Sequence, residues 1–340
     1  SLYLLKRLWR FFHSLTLCAI LQRPHRMKRL TIIFSLILFG QTLFGQGKTI
    51  QRDVLLFEKG LVLHQLVDED LDLEEIINSK DSIKVKKELA TEIKETILEK
   101  ALEYYQELID SFPKSKLLFR TLNNKGFIEI ALNNKEGAKR TFQKIIDSKA
   151  DDKEKGGIGS GIMAEPYANY KNRASKVLAD IFIKDSNYTE AIKYLDLTKK
   201  YPYRHFCGNE YAADEIYMSE LYAKCYIGLN DRQKVIETLL PNLLENGLAN
   251  NSDLVNLTYQ TLLQKYSKDD LKIKFEQAFK NYQIEKVKNK DSEYEKYFIT
   301  FLDTKIELSS WRLDYLKPEE WAKEIDKTYR NSEFYKLLNE

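Results

Sequence analysis

Two stretches of this sequence have residue types that suit ligand chemistry. The sequence GGIGSG at 156–161 has the composition of a loop that binds phosphate through its backbone amides. No strand pattern precedes it, and it lacks the Lys and Ser/Thr that end a P-loop. The acidic run from Asp68 to Glu75 offers carboxylates for Ca²⁺ or for hydrolysis, but without the ligand spacing and glycine of an EF-hand. We interpret the first as a flexible insertion and the second as a solvated helix start.

The histidines and cysteines form no recognisable catalytic or metal-binding set. His205 and Cys207 lie near Glu210, but CxxC and HExxH spacings are absent. Cys207 and Cys225 allow one disulfide in an exported protein, whereas the helical apolar pattern around Cys225 favours a small core residue. His64 also lies in an apolar helical pattern and suits a packed residue. Because no nucleophile motif accompanies these residues, we expect no enzyme activity, no metal and no cofactor.

Aromatic and basic residues cluster between two predicted helices, at Tyr201-Pro-Tyr203-Arg204-His-Phe206. Tyr and Arg are enriched among the residues that dominate binding energy at protein interfaces. The cluster therefore has two interpretations. One is a partner-binding patch that consists of Tyr201, Tyr203, Arg204 and Phe206, and the other is a packed turn between structural repeats.

Charge is divided unevenly along the chain. The whole sequence has 54 Lys and Arg against 51 Asp and Glu, a formal net charge of +3. Residues 1–45 contain seven of the basic residues and none of the acidic ones, so the remainder is slightly acidic. The basic total therefore does not indicate a nucleic-acid partner.

Residues 27–45 have the layout of a secretory signal peptide. Met27-Lys28-Arg29 is followed by an apolar run to Phe39 and then, after a short stretch, by the small residue Gly45, where a peptidase could cut. The apolar run is shorter than the ~20 residues that span a bilayer, so we expect cleavage after Gly45 and export to the periplasm or cell envelope. The ending Phe-Gly before Gln resembles the export signals of Bacteroidetes-type bacteria.

Residues 1–26 precede this initiator methionine. We interpret them as a mis-assigned upstream segment, since residue 1 is Ser. The alternative is a genuine longer N-terminus whose apolar stretch Phe11–Leu21 holds the protein in a membrane. Cys18 follows the bulky Leu17, which does not suit lipoprotein cleavage, so we expect no lipid anchor.

Apolar residues recur with a helical period from about residue 50, and two segments share one spacing. These segments, 119–152 and 172–205, carry small and large apolar residues at corresponding positions: Gly126, Ala138 and Phe142 in the first, and Leu178, Ala179, Phe182, Ala191 and Leu195 in the second. The same 53 residues separate Gly126 from Ala179 and Phe142 from Leu195. A small residue lets two helices approach, and a large one fills the space beside it.

The two segments resemble tetratricopeptide repeats, whose period is ~34 residues. A spacing of 53 residues then implies one repeat plus an insertion, which we place at 151–171. Further matches are weaker: Ala101, Tyr105, Leu108 and Pro113; Tyr222, Ala223 and Tyr226 with a second helix to Glu245; and Phe275 and Ala278 in a pair over 252–290. Residues 82–111 contain no turn residue, so one long helix and a helix pair both stay open.

The resemblance implies an all-α fold, a right-handed solenoid of helix hairpins with a small C-terminal cap. We expect an N-terminal helical segment over 46–81, the solenoid over 82–290 and the cap over 291–340. Tyr297–Leu308 fits either an alternating strand or a helix. A closing helix is expected over 319–338, after Pro318.

The expected function is that of a non-enzymatic scaffold of the bacterial cell envelope. A repeat solenoid presents a concave face on which protein or peptide partners bind, and helices beginning near Phe119, Asn172 and Ile216 would line it. One alternative is an envelope hydrolase, in which helix hairpins position two acids, or an acid and a His, in a deep pocket. Another is a membrane-anchored subunit of a complex, held by residues 1–45.

The signal-peptide interpretation predicts the first residue of the mature protein. Signal peptidase cuts after a small residue that follows the apolar run, so the exported protein should begin at Gln46. N-terminal sequencing of the protein from the envelope fraction measures this directly. Exported protein that keeps residues 27–45 would instead support the anchored subunit.

Overall fold

The computed structural model of this chain describes residues 51–155, 166–244, 248–288, 293–308, 313 and 316–340. The predictions for the upstream segment, the signal peptide, Cys18 and the sequence GGIGSG lie outside these residues. The chain divides into two compact units, residues 1–55 and 56–340. The second unit holds nearly all of the described residues.

Helices form most of the described part of the chain. In order they are α1 (Arg52–Gln65), α2 (Leu73–Asn78), α3 (Lys84–Ser111), α4 (Leu118–Ala131), α5 (Lys135–Ile146), α6 (Tyr170–Lys184), α7 (Tyr188–Lys200), α8 (Gly208–Gly228), α9 (Arg232–Leu239), α10 (Ser252–Leu263), α11 (Lys268–Lys280), α12 (Pro318–Asn331) and α13 (Glu333–Leu337). Helices α4 and α5, α6 and α7, and α8 and α9 pack as pairs, and each pair also packs against the next. Paired helices, as the sequence predicts, therefore make up the middle of the chain.

The turns inside these three pairs share one construction. Each begins with a residue of positive φ, near 57°: Asn133, Ser186 and Asn230. The next residue caps the second helix, and its side-chain oxygen accepts a hydrogen bond from a backbone N–H three residues later: Asn134, Asn187 and Asp231. The backbone N–H of the same residue donates to a carbonyl five residues earlier, in the first helix. One short sequence pattern thus ends one helix and begins the next.

Small and large residues alternate at fixed distances from the capping residue of each turn. Three positions recur in the three pairs, and all nine residues at them are buried. Eight residues before the capping residue lie Gly126, Ala179 and Ala223. Four residues after it lie Ala138, Ala191 and Val235, and eight residues after it lie Phe142, Leu195 and Leu239. A Cβ atom added to Gly126 would lie only 2.6 Å from the Phe142 ring, so the paired helices are in close contact there. Leu178 is also buried, and the half-buried Phe182 stacks on Tyr194 at 5.3 Å.

An earlier pairing joins α1 to α3. Residues 84–111 form one long helix and not two, which resolves the alternatives that the sequence left open. A Cβ atom added to Gly60 of α1 would lie 2.4 Å from the Tyr105 ring, the same kind of contact as that between Gly126 and Phe142. Ala101 and Tyr105 are completely buried. Helix α1 therefore packs against α3 through these side chains, and residues 66–83 lie between the two helices in the sequence.

The acidic run 68–75 lies inside the segment 66–83. Glu74 and Glu75 lie in the first turn of α2, where the helix dipole favours carboxylates, as expected for a helix start. Asp68, Glu69 and Asp70 instead belong to a π-helical turn, Leu66–Asp70, that follows α1. The interpretation as a helix start is therefore wrong for these three residues.

The fold is mostly helical, as predicted, but it is not all-α, because a three-stranded antiparallel sheet follows α11. Its strands are β1 (Gln283–Lys288), β2 (Glu293–Phe301) and β3 (Thr304–Leu308), in the order β1-β2-β3. Tyr297, Ile299 and Phe301 of β2 are buried on one face together with the alternate residues Ile306 and Leu308 of β3. Of the two possibilities for 297–308, the alternating strand is thus correct. Strand β1, within the pair predicted over 252–290, was missed because its residues are exposed and lack this alternation.

Three further boundaries differ from the sequence predictions, the first being the start of α8, which lies at Gly208 and not near Ile216. The second helix of the third pair ends at Leu239 because Pro241 lies in the short 3₁₀ helix that follows, well before Glu245. The closing helix begins at Pro318 but breaks at Ser332, whose side chain caps α13. The sheet, α12 and α13 share one core with α11, in which Phe275, Phe301, Tyr329 and Phe334 pack ring against ring.

The packing of Gly126 on Phe142 predicts a stability effect with an internal rescue. Gly126→Ala should lower the free energy of unfolding by about 1–2 kcal/mol, because overpacking outweighs the roughly 1 kcal/mol by which alanine favours a helix. Phe142→Leu in the same chain should recover most of this loss, since it reproduces the natural pair of Ala179 with Leu195. Urea unfolding of the single and double variants measures the coupling. Gly208→Ala is the matched control, because nothing lies within 4 Å of a Cβ atom there; additive effects of the two substitutions would contradict the account.

Candidate partner-binding cleft

A cleft of about 1580 Å³ lies between α8 and the C-terminal sheet and helices. One wall is a stripe of α8 residues spaced three or four apart, which places them on one face of the helix: Tyr211, Asp214, Glu215, Met218, Ser219 and Tyr222. The facing wall includes Lys305 and Glu307 of β3 and Thr328 and Asn331 of α12. The loop that joins α7 to α8 contributes Pro202, Tyr203 and Cys207.

Lysine and aspartate side chains hold two tyrosines of this cleft in place. Lys176 of α6 forms an ion pair with Asp214, and its Nζ lies 4.7 Å from the centre of the Tyr203 ring. In the second arrangement, the Tyr222 hydroxyl donates to Asp196 over 2.8 Å. Lys199 pairs with that same aspartate at 2.6 Å, and its Nζ lies 5.3 Å from the centre of the Tyr222 ring. Each ring thus lies against a lysine that an aspartate holds in place, so this part of the cleft is preorganised.

Glu215 differs from the other charged residues of the cleft. The described part of the chain offers its carboxylate no hydrogen bond or ion pair. Partial burial raises the pKa of Glu215, and the negative charges of Asp214 and Glu307 raise it further. Lys296 has the opposite effect. The carboxylate therefore lines the cleft without an ion pair among the described residues.

The loop 201–207 is fixed to the start of α6 by two buried asparagines. Asn169 donates through Nδ2 to the Arg204 carbonyl and accepts through Oδ1 from the Arg204 N–H, both over 3.0 Å. Asn172 donates to the Tyr201 carbonyl over 2.7 Å. Asp152 accepts hydrogen bonds from two N–H groups in the first turn of α6, at 2.7 and 3.2 Å. The loop that carries Tyr203 is therefore positioned by α6 and by the end of the predicted insertion.

The four residues of the predicted aromatic patch lie in different surroundings. Tyr203 lines the cleft, whereas Tyr201 packs between Lys171 and Lys200, whose Nζ atoms lie 5.0 and 5.4 Å from its ring centre. Phe206 is 70% exposed and stacks on the neighbouring His205. The side chain of Arg204 is half-buried. Of the four residues, the structure thus places one in the cleft.

The α8 stripe was missed by sequence reasoning. The sequence prediction for this helix used the apolar residues Tyr222, Ala223 and Tyr226, which pack against neighbouring helices. Tyr222 lies at the border between this packed side and the cleft. The signal for the other side was the spacing of Tyr211, Asp214, Glu215, Met218 and Tyr222, which alternates aromatic and acidic residues along one face. A helix face of that composition is neither an ordinary core nor an ordinary solvated surface.

His205 and the cysteines have structural roles in the described chain. The Nδ1 atom of His205 accepts from the Cys207 N–H over 3.0 Å, and the Tyr211 hydroxyl donates to the His205 carbonyl over 2.6 Å. Cys207 and Cys225 are both free, so they form no disulfide in this structure. Burial raises the pKa of Cys225 to about 11, as expected for a small core residue.

Neither a metal-binding cluster nor a membrane-spanning helix occurs among the described residues. No three His, Cys, Asp or Glu side chains among these residues lie close enough together to hold a metal ion. No helix in this part of the chain combines the length and the apolar character needed to cross a membrane.

Comparison with known proteins supports the repeat resemblance at one place. A family model of the tetratricopeptide repeat matches residues 94–115. This stretch comprises most of α3 and the turn after it, and it includes Ala101 and Tyr105, which pack against α1. No curated protein matches the chain. A tetratricopeptide motif together with paired helices indicates a repeat-containing protein that interacts with other proteins.

The hydrogen bonds of Asn169 predict how strongly α6 holds the cleft loop. Asn169→Ala should lower the free energy of unfolding by about 2–3 kcal/mol, because it removes both bonds to Arg204 and puts alanine at a φ of 48°. Asn169→Gly tolerates that φ and isolates the effect of the lost bonds. Both variants should make the chain more sensitive to trypsin at Arg204. Unchanged cleavage there in both variants would contradict the positioning role.

Proposed function

We propose that this chain is a non-enzymatic scaffold that binds a protein or peptide partner in the cleft along α8. The main support for this proposal is the cleft itself. Its volume of about 1580 Å³ exceeds the roughly 300–1000 Å³ of small-molecule sites, which favours a polypeptide segment as the occupant. The tetratricopeptide match at 94–115 supports the same function.

Within this proposal the helix pairs stack as a right-handed solenoid. The repeated turn and the repeated small–large contacts support a regular stack, because each pair then meets the next in a similar way. Helix α8 is the first helix of its pair, and first helices are the ones expected to line the concave face of such a stack. The cleft then forms where this face meets the C-terminal sheet and α12, which act as the cap.

We propose that the partner is recognised by shape and charge, without chemical turnover. The tyrosines of the cleft are held in place by ion-paired lysines, an arrangement that suits a rigid contact surface. His205, which lies beside the cleft, stabilises the loop 201–207. Its Nδ1 atom accepts a hydrogen bond from the Cys207 N–H, and its carbonyl accepts one from the Tyr211 hydroxyl. These features support binding more than acid–base catalysis.

The site of action that we propose is the bacterial cell envelope. The support is the basic, apolar and small-residue layout of residues 27–45, which is typical of a signal peptide. A partner from an envelope or secretion complex fits such a location.

A substitution that fills the cleft tests this function. Thr328 lies exposed on the α12 wall, so Thr328→Trp should obstruct the cleft while leaving the core intact. With the chain as bait in an envelope extract of the cells that make it, partners held by the wild-type protein should be lost by this variant. Ala322→Trp is the matched control, because Ala322 is exposed on the same helix outside the cleft. Partners that bind both variants equally would show that the cleft is not the binding site.

A further inference from the structure

We infer that the segment bound in the cleft carries a Lys or Arg side chain whose positive charge lies against Glu215. This inference rests on the proposed function, since it names the chemistry of the partner that the cleft accepts. It follows from a balance of charges in the lining, from the composition of α8 and from the exposure of Tyr211.

The balance of charges leaves one carboxylate without a partner. The other charged residues of the lining form ion pairs with side chains inside or beside the cleft: Lys176 with Asp214, Lys199 with Asp196, Lys305 with Glu285, Lys296 with Glu307 and Lys327 with Glu324. Among the described residues, Glu215 has no such pair. The lining therefore carries one uncompensated negative charge, at a defined position on α8.

Each wall of the cleft has a second carboxylate that repels Glu215, and Lys296 offsets only part of this repulsion. Asp214 precedes Glu215 on α8, and Glu307 belongs to the strand opposite. Helix α8 as a whole has the acidic residues Glu210, Asp214, Glu215 and Glu220 against a single basic residue, Lys224. Carboxylates that repel one another in a partly buried site attract a cation, because a cation relieves the repulsion. The same carboxylates would repel an anionic segment.

An aromatic side chain lies next to Glu215 on the same face of α8. Tyr211 lies four residues before Glu215 and is 40% exposed. The aliphatic stem of a Lys or Arg can pack against such a ring while its charged head reaches the carboxylate. The faces of Tyr203 and Tyr222 are by contrast already contacted by lysines of this chain. The cationic side chain is thus directed to the part of the cleft between Tyr211 and Glu215.

Selection from a random peptide library, displayed on phage, tests the inference while the natural partner is still unidentified. The whole chain is the target, and Thr328→Trp identifies the peptides that depend on the cleft. We expect these peptides to contain Lys or Arg. Their affinity should fall roughly threefold in Glu215→Gln, as for loss of an exposed ion pair, and roughly tenfold or more in Glu215→Lys, where like charges meet.

A matched charge reversal elsewhere controls for the change in net charge. Glu99 is exposed on α3, has no ion pair among the described residues and is not part of the cleft. Glu99→Lys should therefore leave the affinity of the selected peptides unchanged. Thermal unfolding of all variants confirms that each one is folded.

The outcomes separate this inference from the proposed function. Cleft-dependent peptides that lack Lys and Arg, or that bind Glu215→Lys as tightly as the wild type, would overturn the inference and leave the cleft as a binding site. If no peptide is enriched, or if all enriched peptides bind Thr328→Trp unchanged, the proposed function fails and the inference fails with it.

Discussion

The close approach of helices at small residues is the constraint on which this structure depends. Gly126 admits the ring of Phe142, and Gly60 admits that of Tyr105, at distances where a Cβ atom would clash. A third glycine, Gly228 at the end of α8, faces the ring of Tyr188 at the start of α7 in the same way. This last contact joins one helix pair to the next, so it fixes the position of the helix that forms the cleft wall. A larger residue at these sites would separate the helices and displace that wall.

Polar contacts then hold the side chains of the cleft wall in defined positions on these packed helices. Asn169 holds the loop of Tyr203 against α6, and Lys176 links the same ring to Asp214 on α8. These bonds join three elements whose spacing the helix packing has already set. Binding a partner would therefore require little ordering of the cleft wall, which reduces the entropic cost of association. Specificity would come from the one charge that remains uncompensated, at Glu215.

The features that were predicted from the sequence are local. Gly126, Ala138 and Phe142 lie within one helix pair, so a short stretch of sequence shows their small–large spacing completely. The pairing of Gly60 with Tyr105 was missed because residues 66–83 separate the two helices. The hairpin from β2 to β3 turns through Leu302 and Asp303, both with positive φ, and lacks the glycine that normally marks such a turn. The cleft was missed because its walls lie far apart in the sequence and meet only through the C-terminal core.

Hydrogen–deuterium exchange of the chain, alone and with a partner captured by it, tests most directly whether the cleft is the binding surface. Bound partner shields backbone amides and suppresses local opening, so exchange should slow in 203–222 on one wall of the cleft and in 304–308 and 324–331 on the other. The pairs α4–α5 and α6–α7 should exchange as in the free chain, apart from the start of α6 and the end of α7, which line the cleft. Slowed exchange confined to those pairs, with both walls unchanged, would contradict the account.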